Sequence, residues 1–264
     1  MELKIIYSKR EDGIMSDDEI FYPNLTEEER KNKFELNKKN FLQKYNLDNV
    51  NILIPIQKTI YEEQDETFNY QDGTYEILTK ENVTKYLKGE KYFHDDFLIM
   101  DSDIKNILVV DKVADCPMLI LLAKITEENW MIALAHCGCE YINRLLPQQM
   151  VDALIKESNV KPQYIKAYIT PCISKESYVY DKYPPVASNK DAWKNAIEQR
   201  EDFYYIDLRK AIVNQLLSKG LQKENMIISD KDTRTDNDFY SHVAYKKGDI
   251  NKNGRFIAGA VFID

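Results

Sequence analysis

Met118-Leu-Ile-Leu-Leu-Ala123, Lys124-Ile-Thr-Glu-Glu-Asn129 and Trp130-Met-Ile-Ala-Leu-Ala135 decide the fold. Two short apolar runs flank a polar, charged connection. Runs of that length suit strands buried on both faces, so the stretch is predicted to be an antiparallel hairpin. Folding it about Thr126 places Cys116 beside His136 or Cys137 at the open end. Directly opposed residues stand with β-carbons about 5 Å apart. The hairpin therefore predicts a thiol and an imidazole within reach of one another.

Working outward, strands are expected at 3–8, 51–56, 97–100, 107–110, 164–169 and 226–229, with a closing strand over 256–263. Pro55 puts the second of these near an edge or strand end. Thr26-Glu-Glu-Glu29 has capping-box spacing, and a helix follows towards Tyr45 with Phe34, Phe41, Leu42 and Tyr45 along one stripe. Residues 61–95 are acidic and tyrosine-rich and read as an irregular excursion, with a turn at Gln71-Asp-Gly73 and a short helix around 82–87. Further helices are expected with Leu146, Met150, Ala153 and Leu154 on one face, near 191–200, and over 207–219. Asp207 caps the last of these and Gly220 stops it. The stretches 177–189 and 230–238 read as loops. No fixed-period repeat is visible. Strands and helices mix and the clearest pair is antiparallel, so the class is α+β, a single domain over 1–264 with mixed and antiparallel sheets and flanking helices.

The 264 residues are 44% hydrophobic and 30% charged, which argues against wholesale disorder, and the net charge is −8. An acidic surface argues against a nucleic-acid partner, because phosphate backbones need a basic one. No apolar run reaches the length of a membrane span, and Met1-Glu-Leu-Lys-Ile-Ile-Tyr-Ser lacks the basic start and long apolar stretch of a signal peptide. The expectation is a cytoplasmic protein with no membrane partner and four reduced cysteines, at 116, 137, 139 and 172. Its oligomeric state is open. Cys137-Gly-Cys139 has no second cysteine pair to make a zinc knuckle with it.

A Cys–His pair supports two chemistries. The histidine can take the thiol proton and make a nucleophile, or both can hold a metal ion. The plain alternative is a buried thiol beside a strand-end histidine. Three ordered stretches bear on the choice: Val113-Ala-Asp-Cys-Pro-Met-Leu-Ile, Ala135-His-Cys-Gly, and Ala167-Tyr-Ile-Thr-Pro-Cys-Ile-Ser174. They resemble signatures of the laccase-domain or "polyphenol oxidase" proteins, regarded as purine nucleoside phosphorylases with adenosine deaminase and methylthioadenosine phosphorylase activities. Ser8-Lys-Arg10 with Gly13 and Ser16, Tyr205-Ile-Asp-Leu-Arg209 with Asn214-Gln-Leu-Leu217, and Phe239-Tyr-Ser241 with Gly254-Arg255 extend the likeness over nearly the whole chain.

The resemblance implies an α+β fold and a zinc site of one Cys and two His. Cys116 and His136 match two of those positions, as metal ligands and catalytic residues. Arg10 and Arg255 match retained arginines and are expected to bind substrate, a purine nucleoside and phosphate. The departures fall on the site. Thr59, in Ile56-Gln-Lys-Thr59, stands where the family has its first zinc histidine, and a hydroxyl is a poor replacement for imidazole. The family's Gly-Trp-Arg-Gly is Gly138-Cys-Glu-Tyr141 here, exchanging a cation for Glu140. Its Gly-Pro-Cys is Thr170-Pro-Cys172, and its Ser-Tyr-Arg-Arg is Ser241-His-Val-Ala244. Substitute ligands come from His94, His242, Asp232 and Glu140, with His94 first on sequence order and His242 second.

Three readings follow: a divergent nucleoside phosphorylase or deaminase with altered metal ligation, a non-enzymatic relative that keeps the fold, and a metal-free hydrolase or deamidase with Cys116 as nucleophile and His136 as base. A multicopper electron-transfer centre is least compatible with three histidines in the chain.

Overall fold

The computed structural model describes residues 1–56 and 73–264. Its strands are β1 (Glu2–Tyr7), β2 (Asn51–Leu53), β3 (Tyr75–Leu78), β4 (Phe97–Asp101), β5 (Ile107–Val113), β6 (Met118–Lys124), β7 (Trp130–His136), β8 (Lys166–Ile169), β9 (Val179–Tyr180), β10 (Ile197–Arg200), β11 (Phe203–Ile206), β12 (Met226–Ile228) and β13 (Phe256–Ile263). Its helices are α1 (Glu27–Lys44), α2 (Lys80–Leu87), α3 (Cys139–Asn143), α4 (Leu146–Ser158), α5 (Leu208–Ser218) and α6 (His242–Lys246). The class is α+β, as the sequence implies.

Two larger sheets face each other. One runs β1-β13-β5-β2 and the other β12-β8-β6-β7-β4-β3, and a small third sheet is β10-β11-β9. The hairpin β6–β7 is the middle of the six-stranded sheet, which explains its unbroken apolar composition. Met118, Ile120 and Leu122 point towards the four-stranded sheet and pack with Val109, Ala258 and Phe262. Leu119 and Leu121 point the other way, into Met150, Leu154, Ile212 and Leu216 of α4 and α5. Both faces of a strand are buried only when both are covered, and alternation then gives a run with no polar position. On the far side of the four-stranded sheet, Leu108, Val110, Ile257 and Val261 meet Phe34 and Phe41 of α1. The order through the molecule is helix, sheet, sheet, helices.

The helix starts follow their caps. Thr26 and Glu29 exchange the two bonds of a capping box, and Asp207 accepts from the Lys210 N–H. Pro147 opens α4. Where β13 crosses β5, a side chain on Gly259 would overlap the Val109 carbonyl, so the closest approach of the two strands needs glycine.

Several expectations need correction. The 51–56 strand is three residues long and parallel to β5, ending before Pro55. The 107–110 strand continues to Val113. Tyr75–Leu78, expected to be irregular, is an edge strand parallel to β4. The expected turn at 71–73 falls largely outside the described residues. The helix near 191–200 is absent: Trp193 Nε1 donates to Asn143 Oδ1 at 3.0 Å, Asn195 turns left-handed, and Ile197–Arg200 pairs with Phe203–Ile206 as a hairpin. An anchored tryptophan and a residue with φ of 57° end a helical path that periodicity alone would extend. Among the described residues no helix is long and apolar enough to cross a membrane.

Candidate functional site

The β6–β7 register places Met118 opposite His136, and the Cys137 N–H donates to the Pro117 carbonyl at 2.8 Å. Continuing the register, Cys116 faces Gly138, about one residue from the expected pairing. The outcome for the chemistry is the same. A β-carbon built on Gly138 would stand 3.1 Å from Cys116 Sγ and 3.4 Å from His136 Nε2, so both reactive atoms converge on the face that glycine leaves open.

Cys116 lies on the 114–117 link between β5 and β6, which is the passage from one large sheet to the other. Asp115 shapes that link. It adopts φ of 80°, a conformation that aspartate tolerates better than most residues. Its Oδ1 accepts from Thr233 Oγ1 at 2.7 Å and its Oδ2 from the Val243 N–H at 2.8 Å, while its carbonyl accepts from Ile173 N at 2.9 Å. The next turn is held by Thr170, whose Oγ1 accepts from Met118 N at 2.8 Å. Threonine at this departure from the family pattern is thus a hydrogen-bonding part of the scaffold.

His136 closes β7. Asp111, reaching across from β5, has Oδ2 3.8 Å from His136 Nδ1, and the Tyr141 ring lies 6.0 Å away. A carboxylate facing Nδ1 favours the tautomer with its proton there, turning the Nε2 lone pair towards Cys116. A void of about 20 Å³, lined by Asp95, Asp96, Asp111, His136 and Tyr141 among others, adjoins this side of the ring.

Burial and charge set the protonation. Burial pushes the Cys116 thiol well above its usual range, reinforced by Cys139, Asp115 and Cys172 and opposed by Arg255. Burial lowers His136, which Asp111 opposes and Arg255 assists. Both groups are neutral near pH 7. Burial likewise raises the Cys139 thiol to about 11, and its sulfur lies 3.2 Å from the Tyr178 hydroxyl. Glu140 is partly buried on α3, which raises its carboxyl.

Arg255 and His242 join Cys116 and His136; Arg10 and His94 do not. The Arg255 guanidinium lies over the Phe21 ring at 5.0 Å, donates to the Gly254 carbonyl at 2.9 Å, and its charge is felt at Cys116, His136 and His242. His242 opens α6, beside the Val243 N–H that Asp115 holds. Arg10 donates to the Phe239 carbonyl, covers the Tyr240 ring at 5.5 Å, and lines a separate surface cleft of about 640 Å³. His94 is exposed in the loop before β4. Asp232 is a scaffold hub, accepting from Ser174 N and Oγ, Ser177 Oγ and Arg234 N.

Thr59 lies outside the described residues. A catalytic zinc takes three protein donors. Cys116 and His136 supply two, and among the described residues no cluster of three or more His, Cys, Asp or Glu could hold a metal ion. The described residues fall one donor short of the centre that the resemblance implies.

Sequence reasoning missed Asp111 and the scaffold role of Asp115. The signal for Asp111 was a charge inside the apolar strand Ile107–Val113; that for Asp115 was its place next to Cys116, though its partners are remote in sequence.

Residues 76–263 match the family model described as multi-copper polyphenol oxidoreductase laccase. No curated protein matches the sequence. Among solved structures, the Bacillus licheniformis hypothetical protein YfiH is similar with a TM-score of 0.70 and 17% identity, over 98% of this chain and 92% of that one. YlmD from Geobacillus stearothermophilus follows with 0.68 and 18%, over 89% and 82%, and Neisseria meningitidis protein NMB0706 with 0.65 and 15%, over 99% and 95%. At these identities the structures speak to fold alone. Together with the family match over most of its length, they place the chain: it belongs to the multi-copper polyphenol oxidoreductase laccase family.

Proposed function

We propose that the chain is a divergent purine nucleoside phosphorylase of the laccase-domain type, acting on adenosine, inosine or methylthioadenosine with phosphate, and able to deaminate adenosine. The observation that supports this reading is the convergence of Cys116 Sγ and His136 Nε2 on Gly138 with Arg255 beside them. In phosphorolysis a phosphate oxygen bonds to C1′ of the ribose as the C1′–N9 bond breaks, and the bonding pair leaves with the purine. Arg255 suits the phosphate, since its planar fork can take two oxygens and its partial burial strengthens the attraction. With no metal bound, the Nε2 lone pair of His136 suits acceptance of a proton from a hydroxyl or from water; with zinc bound, that lone pair would be a metal donor and not a base. Zinc is the metal implied by resemblance, with Cys116 and His136 as two of its donors, and no step is assigned to it. Incubation of the purified protein with each nucleoside and phosphate, with and without added zinc, tests the reading: absence of free base and of inosine in every mixture overturns it.

A second reading, a non-enzymatic relative, draws on Thr59 in place of the family histidine and on Glu140 in place of a cation. Stoichiometric zinc together with turnover would exclude it. The metal-free hydrolase reading is less favoured, because burial holds the proton on Cys116, so the dyad rests as a thiol and a neutral imidazole rather than as a preformed thiolate.

A further inference from the structure

The Nδ1 of His242 is buried and has no hydrogen-bond partner among the described residues. Buried polar atoms are almost always partnered, so one left open beside a candidate site asks for a ligand or an ordered water. Its neighbour Arg255 has N–H donors to spare. A guanidinium carries five N–H donors, and the bond to Gly254 uses one. No carboxylate among the described residues lies within salt-bridge distance of Arg255. Asp115 is felt by Arg255 through its charge but makes no ion-pair contact with it; its oxygens accept from Thr233 and Val243. The Val243 bond ties the start of α6, beside His242, to the Cys116 link.

The geometry points to His242 and Arg255 as the two halves of an oxyanion subsite, with the imidazole Nδ1–H donating to a phosphate oxygen that Arg255 neutralises. The assignment rests on the phosphorolytic reading for the identity of the anion. An oxyanion matches both needs at once: it accepts from a neutral N–H and from a cationic fork. Burial and the Arg255 charge keep His242 below the usual histidine value, so near pH 7 it offers one N–H rather than a second positive charge. His242 is here a binding residue of the subsite and not a metal ligand.

The test is calorimetric titration of the full-length protein with inorganic phosphate, without nucleoside and without zinc, so that no turnover is needed. Wild type should bind. H242F should bind at least about tenfold more weakly, the loss expected for a hydrogen bond to an ion. H242N, whose amide nitrogen can take the place of Nδ1, should stay within about threefold of wild type. Thermal melts check that each variant is folded, and H242A carries the same expectation as H242F. Equal phosphate affinity in wild type and H242F overturns the subsite while leaving phosphorolysis standing. A wild type that binds no phosphate also overturns it, and phosphate-dependent release of hypoxanthine from inosine, measured alongside, then shows whether the phosphorolytic reading falls too.

Discussion

Gly138 is the residue on which the site turns. Its φ is −69°, so alanine is conformationally acceptable there, yet the added methyl would meet Cys116 Sγ at 3.1 Å and approach His136 Nε2 at 3.4 Å. Gly138→Ala should therefore leave the fold nearly intact, within about 1.5 kcal/mol by urea denaturation, and lower any base release at least about tenfold. A large loss of stability with unchanged turnover would place the methyl elsewhere. Cys116 gives a second outcome at this scale. Burial holds its thiol above the usual range. A small alkylating reagent should label it slowly at pH 7 and faster as pH rises towards and past the thiol value, because the thiolate is the reactive form. Fast labelling at pH 7 would revive the metal-free nucleophile.

At the scale of elements, the 114–117 link and α6 act as one piece because Asp115 bonds both. Asp115→Asn keeps the tolerance for φ of 80° and replaces one acceptor oxygen by a donor, so it isolates the hydrogen bonds from the backbone. It should destabilise the protein by about 1–3 kcal/mol in urea denaturation and weaken phosphate binding through displaced His242. No change in either would remove Asp115 from its role. This is also the scale at which sequence legibility changed. The hairpin β6–β7, α1, α5 and β13 were legible because burial on defined faces and local capping write periodicity and punctuation into the chain. The 191–200 stretch was misread because Trp193 is anchored by Asn143, fifty residues away, and β10 exists only through its partner β11. Cys116 and His136 could be brought together from pairing geometry; Arg255 was named only by resemblance, and Asp111 was marked only by a charge inside an apolar strand, because both come to the pair from the other sheet by tertiary packing.

The whole molecule explains why the site lies where it does. Cys116 sits on the link between the two large sheets, His136 ends a strand of one, and Asp111 and Arg255 belong to or border strands of the other. A site built from both layers depends on their remaining packed, and the buried thiols make that packing sensitive to pH. Burial raises Cys139 to about 11 and Cys172 to about 12 from an ordinary 9.0. In this direction the unfolded chain loses its protons first, so stability is full below about pH 9 and falls as pH climbs through 11 and 12. The urea midpoint should drop between pH 8 and pH 10.5, and Cys172→Ala should lessen the drop. A midpoint that is flat across this range would contradict the burial of these groups.

The most direct test of the functional account is a mass measurement on purified protein incubated with inosine and ¹⁸O-labelled phosphate. Phosphorolysis should yield hypoxanthine and ribose 1-phosphate carrying the labelled oxygens, with the yield lost in the Cys116→Ala and His136→Ala variants. Hypoxanthine formed without labelled ribose 1-phosphate, or no hypoxanthine at all with zinc supplied, would contradict it.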